Sequence, residues 1–154
     1  MDPIFKKLNY KTQETILVLD APESFQPSII AMQELCKVEN QLAAQTALDF
    51  VLVFLTKKDE IISKLPPLVE KLKGDALLWV AYPKKSSKNY QSDITRDDGW
   101  QIMGELNMEP VRMVAIDADW SALRFRKVQF IKKITRRSSM ALSQEAKDRT
   151  TNKK

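Results

Sequence analysis

Lys84, Lys85, Ser86 and Ser87 follow directly on seven uncharged residues, Ala76 to Tyr82, and on Pro83, which closes that run. Two ammonium groups and two hydroxyls at the mouth of an apolar run can hold an anion, by charge and by directed hydrogen bonds. Asp20 ends a second apolar run, Thr15 to Leu19, and Asp93 lies in the loop beyond the lysines. Where such runs are strands of one open α/β sheet, their carboxyl ends share the crevice in which ligands bind. Asp20, Lys84, Lys85, Ser86 and Asp93 would then surround a small anionic or nucleotide-like ligand. The same residues also fit a solvated loop in which Lys84 pairs with a nearby acid. An Asp20 and Lys84 couple, with the lysine pKa lowered by burial, is the acid/base chemistry open to them. No recognised catalytic spacing accompanies it, so no residue is assigned as catalytic.

A second group is Trp120, Ser121 and Arg124. Trp120 can stack on a base or an aromatic ligand, or cover a sheet edge. Asp93, Asp97 and Asp98 could hold Mg²⁺, yet acids clustered before a helix also complement its dipole, and no metal site is assigned. The chain has no histidine and one cysteine, Cys36. That removes the usual structural zinc sites, histidine-based triads and any internal disulfide. Cys36 reads as a small buried hydrophobe.

Net charge is +5 over 154 residues, and its distribution is uneven. From Lys127 to Lys154 nine Lys/Arg face two Asp/Glu, whereas in the first 126 residues sixteen face eighteen. The basicity therefore belongs to the tail. Lys132, Lys133, Arg136 and Arg137 form a dense cluster able to contact nucleic-acid phosphates without sequence preference, or simply a solubilising segment.

The elements that must position these groups follow from periodicity. Thr15 to Leu19, Asp49 to Leu55 and Ala76 to Tyr82 are continuous apolar runs that suit strands buried on both faces. Between them lie a helix after Ser24 carrying Phe25, Ile29, Ile30, Met32 and Leu35, and a helix after Thr56 carrying Ile61, Ile62, Leu65, Leu68, Val69 and Leu72. Pro66-Pro67 predicts a kink or break in the second, and Gly74 its stop. An edge strand is expected around Lys37 to Leu42, and a helix capped by Asp93 or Thr95 with Ile94, Trp100, Met103 and Leu106. Val111 to Ile116 and Trp120 to Val128 read as a closing antiparallel hairpin. Residues 1 to 13 read as a loosely held lead-in that can dock on the body through Ile4 and Phe5, 14 to 128 as one α/β domain, and 129 to 154 as a disordered or helical basic tail. With 44% hydrophobic and 29% charged residues, a chain of this length buries roughly 70% of its unfolded surface. No apolar run approaches the ~20 residues that span a bilayer, and the N-terminus lacks signal-peptide features, so a cytoplasmic location is expected.

Two stretches, LLWVAYPKKSS at Leu77 to Ser87 and AIDADWSALRF at Ala115 to Phe125, resemble an uncharacterised bacterial family, the domain of unknown function numbered three thousand and fifty-two. That resemblance covers residues 15 to 127 and implies no activity. A coarser likeness is to the body of Rossmann-like methyltransferases, with DFVLVF, ALLWVAYP and the terminal pair VRMVAID and LRFRKV in the same order. Those enzymes place a glycine-rich turn after the first strand, whereas this chain has Asp20-Ala21-Pro22-Glu23. With glycine only at Gly74, Gly99 and Gly104, no phosphate-cradling loop exists, and no cofactor is expected.

The expected fold is a three-layer Rossmann-like α/β domain, mostly parallel, ending in an antiparallel hairpin. The expected function is a non-enzymatic binding or regulatory module, with an anionic ligand or protein partner at the strand ends. An enzyme using Asp20 and Lys84, and a nucleic-acid-associated protein acting through the tail, are the alternatives. On the last of these, truncation at Lys127 abolishes nucleic-acid binding in a gel-shift assay and leaves the melting temperature unchanged.

Overall fold

The computed structural model describes residues 1–43 and 47–131. Six strands form one sheet: β1 (Thr15–Leu19), β2 (Lys37–Glu39), β3 (Leu48–Phe54), β4 (Leu72–Pro83), β5 (Met108–Ala115) and β6 (Trp120–Lys127), in spatial order β2-β1-β3-β4-β6-β5. The first four run parallel. β6 runs against both its neighbours, β4 and β5, so β5 points the same way as β4. The fold is the expected one: a mostly parallel sheet with an antiparallel hairpin at its end.

Each face of the sheet has its own core, because alternate residues of doubly buried strands point to opposite sides. On one face Val51, Val53, Leu78, Val80, Leu123 and Phe125 meet Ile61, Leu65 and Leu68 of α3 (Lys58–Glu70) and Met103 of α4 (Gln101–Glu105). On the other, Ile16, Val18, Phe50, Leu52, Phe54 and Trp79 meet Phe5 of α1 (Pro3–Lys7) and Met32 of α2 (Gln26–Gln33). Trp79 is wholly buried, and its indole N–H donates to the carbonyl of Leu8 at 2.9 Å.

That bond, with the burial of Phe5, ties the lead-in to the body. Asp2 caps α1 by accepting from the amides of Ile4 and Phe5, Asn9 (φ 65°) reverses the chain after it, and Phe5 and Leu8 are fully buried. Phe5 and Leu8 are enough to dock the segment. At the other end Val128 is buried and its amide donates to the carbonyl of Asn107, so a cut at Lys127 removes part of the domain.

Other boundaries also differ from periodicity. Ser24 lies in a 3₁₀ turn (Glu23–Phe25) and makes no cap; α2 starts at Gln26, and Ile30 and Leu35 face solvent. α3 runs unbroken through Pro66 and Pro67, held on both sides of them by the buried Ile61, Leu65 and Leu68, while Ile62 is exposed. The helix stops at Glu70. Gly74 (φ 54°) instead serves the irregularity in β4, where Leu72 pairs with Leu48 and the next pair is Leu77 with Phe50. The edge strand shrinks to Lys37–Glu39. Ile94 and Trp100 are buried from a loop, and the helix expected over them is the single turn-and-a-half of α4. Gly99 and Gly104 in that stretch weaken a longer one. No helix among the described residues is long and apolar enough to cross a membrane.

Phe5→Ala is expected to lower unfolding free energy by about 3–5 kcal/mol in urea titration, the cost of emptying an aromatic site in a packed core. A loosely held lead-in would show no change.

Candidate strand-end site

The strand order reverses between β1 and β3. From β1 the chain passes over one face through α2 to β2, then returns to the far side of β1 as β3 and leaves over the opposite face as α3. The carboxyl ends of β1 and β3 therefore border the switch point at which open α/β sheets receive ligands.

Here the chain fills that place with its own charges. Asp20 follows β1 in a left-handed conformation (φ 58°), which aspartate tolerates better than most side chains. Its carboxylate accepts from Lys64 Nζ of α3 at 2.9 Å, and the same ammonium reaches Glu60 Oε2 at 2.9 Å. Glu60 Oε1 accepts in turn from the backbone amides of Thr56 and Lys57 and from the Thr56 hydroxyl, satisfying amides just before α3. The hydrogen bonds to Asp20, and then to Glu60, raise the Lys64 ammonium above its usual pKa. Burial pushes the Glu60 carboxyl up, but the bonds from Lys64, Thr56 and Lys57 outweigh it and hold the group below the usual carboxylate value.

The loop between β4 and α4 lies across the neighbouring strand ends and is pinned on two sides. Beside β6, Ser87 Oγ donates to Asp119 at 2.8 Å, Asn89 Nδ2 donates to the same carboxylate at 3.1 Å, and Lys84 N donates to the Asp119 carbonyl at 2.7 Å. Beside α3, Asp93 Oδ1 accepts from the Lys58 amide at 2.7 Å, and Asp98 pairs with the Lys58 ammonium. Asp93 is thus a cap for α3. Among the described residues no group of acids is placed to hold a metal ion, since Asp97 turns to Arg96 and Asp98 to Lys58.

The structure separates the remaining candidates. The side chains of Lys84, Lys85 and Ser86 make no hydrogen bond or ion pair among the described residues, so the expected pairing of Lys84 with an acid is absent; Lys84 is half-buried and the other two exposed. Asp20 is committed to Lys64, and no bond joins it to Lys84. Trp120 is buried between Phe54 (ring centroids 5.1 Å apart) and Tyr90 (4.9 Å), which takes it away from ligand stacking. Ser121 is buried on the opposite side of the strand, and Arg124 lies about 13 Å further along β6, so these three make no single site. The Cys36 thiol donates to the Met32 carbonyl at 3.5 Å, and burial raises its pKa. Lys132, Lys133, Arg136 and Arg137 lie outside the described residues. Lys64 and Asp119, which organise the rim with Glu60, escaped the sequence reading; from sequence Glu60 reads only as part of an acid-rich, capped helix start after Thr56. The Glu60/Lys64 spacing of four on a helix was the one available signal.

No family model and no curated protein matches the chain, which leaves the resemblance to the domain of unknown function without support. Solved structures do resemble it. A methyltransferase dependent on S-adenosylmethionine from Aquifex aeolicus superposes with a TM-score of 0.51 at 13% identity, over 81% of this chain and 88% of that one. The N-methyltransferase NodS from Bradyrhizobium japonicum WM9, solved with S-adenosyl-L-homocysteine, gives 0.50 at 11% identity over 82% and 88%. An uncharacterised protein from Listeria monocytogenes serotype 4b gives 0.50 at 11% over 91% and 73%. At such identities the likeness shows the fold, the Rossmann-like one of these methyltransferases.

The shifted groups set a pH dependence. The Glu60 contribution is fully present above the ordinary carboxylate pKa and is lost as pH falls through its lowered folded value. The Lys64 contribution is present below the ordinary lysine pKa and is lost as pH rises through its raised one. Lys64→Met is expected to cost about 1 kcal/mol across the plateau between these limits, since the network is partly exposed, and to flatten both limbs in denaturant titrations run against pH.

Proposed function

We propose that this chain is a non-catalytic binding or regulatory module on a methyltransferase-like frame. Its partner is an anionic group, of a small ligand or a protein, held at the strand-end rim by Lys84, Lys85 and Ser86. One observation carries the proposal: the switch point is occupied by the Asp20–Lys64–Glu60 network and has no glycine turn to let a cofactor approach the backbone. The rim beside it leaves two cations without partners among the described residues. The pinned loop holds them in place at little entropic cost on binding.

The second reading is an enzyme, a methyltransferase, and it draws on the names of the similar structures from Aquifex aeolicus and Bradyrhizobium japonicum. It requires the network to open. An Asp20 and Lys84 acid/base couple requires Asp20 to leave Lys64 as well.

Thermal melts and calorimetry with S-adenosylmethionine, S-adenosylhomocysteine and a panel of di- and tricarboxylates separate the readings. The module predicts no response to either adenosyl compound at millimolar concentration. It also predicts a rise in melting temperature with a polyvalent carboxylate that is lost in Lys84→Ala/Lys85→Ala. A ligand at a hundred times its Kd stabilises by about 2.7 kcal/mol, well within reach of the melt. Stabilisation by S-adenosylmethionine would replace the module by the enzyme.

A further inference from the structure

A separate feature lies on the face of the sheet that carries α1. In the ladder, Trp79 of β4, Arg124 of β6 and Arg112 of β5 stand directly opposite one another in a row, so their side chains share that face. Arg112 and Arg124 are thus a like-charge cross-strand pair with Cβ atoms about 5 Å apart, an arrangement that destabilises a sheet unless something lies between the charges. Nothing among the described residues does. Neither guanidinium makes an ion pair or hydrogen bond there, and Nε of Arg124 is buried with no partner. The nearby acid, Asp75, is taken by Arg126, which reaches both its oxygens at 2.6 to 3.2 Å. Burial, with Arg126 and Arg112 adding to it against Asp75, lowers the Arg124 pKa. Two further cations, Lys6 and Lys7, occupy the last turn of α1, which packs on this same face and ends at the carbonyl bonded to Trp79.

We propose that Arg112 and Arg124 form a clamp for one phosphate group. Guanidinium forks match the oxygen geometry of phosphate, and a dianion or phosphodiester between the two removes their repulsion and supplies the missing acceptor for the buried N–H. The phosphate belongs either to a small molecule or to a nucleic-acid backbone. The clamp is independent of the strand-end proposal, since Arg124 lies about 13 Å along β6 from Trp120 at that rim.

The test titrates the full chain with pyrophosphate and, separately, with a 20-nucleotide single-stranded DNA, and repeats both with Arg112→Gln and Arg124→Met, each alone and in the Lys84→Ala/Lys85→Ala background. The clamp predicts at least tenfold weaker binding of the responding compound for each arginine variant in the lysine-variant background, where the strand-end rim no longer contributes. Response to pyrophosphate identifies a small-molecule source. Response to DNA alone, with an affinity falling steeply with salt, identifies a backbone source. The ligand-free melt gives a second readout: Arg124→Met should raise the melting temperature by relieving an unpaired buried charge. Binding unaffected by both arginine variants, no binding of either compound, or a lowered melt for Arg124→Met would overturn the proposal.

Discussion

β4 is hydrogen-bonded along both edges and buried on both faces, and the rest of the molecule is arranged to satisfy it. Its parallel edge takes β3 and its antiparallel edge takes β6, so the change of direction in the sheet happens on this strand. From Ala76 to Pro83 every residue is buried, which obliges helices to cover both sides. One of its side chains also reaches the N-terminal segment: the Trp79 indole would leave a buried donor unsatisfied without the Leu8 carbonyl, at a cost of about 1–3 kcal/mol. That requirement places α1, closes the second core, and leaves the row beyond Trp79 to two arginines.

The strand ends show a sheet whose usual ligand position has been taken over by internal electrostatics. Lys64 stands between two carboxylates, and Glu60 also holds amides that precede α3. Those bonds serve two ends at once: they hold the entry to α3, and they tie it to the turn after β1. A site that must admit a nucleotide-sized cofactor keeps backbone accessible there instead. The contrast lies in residue type at one turn, Asp20-Ala21-Pro22 in place of glycine.

The central strands and their succession along the chain were legible because a doubly buried strand needs a continuous apolar run, which Thr15–Leu19, Asp49–Leu55 and Ala76–Tyr82 supply almost throughout. The hairpin was legible from the alternation in β6. Helix ends were not, since tertiary burial decided them: Ile30 and Ile62 fit an apolar stripe by spacing and yet point to solvent, and packing by Leu65 and Leu68 carried α3 through two prolines. At the rim, Asp20 and Lys84 directly follow β1 and β4, but the partners of Asp20 and Asp93 lie 44 and 35 positions away, and the Lys84 ammonium has none among the described residues. No local pattern reports a bond of that separation. Arg124 was singled out for its nearness in sequence to Trp120, whereas its neighbours in the ladder are Arg112 and Trp79.

The position of β6 has a consequence for how the chain is made. Among the described residues, the last strand in sequence is inserted between β4 and β5, which are the fourth and fifth. Until synthesis has passed Lys127, β5 has no strand to pair with, and β4 shows a bare apolar edge from Leu78 to Pro83. Such an edge is a template for intermolecular pairing, so the nascent chain is most prone to aggregate in the interval between the emergence of β4 and that of β6. The sheet closes only when its final element arrives from the ribosome, and protection by a chaperone is most needed in that interval.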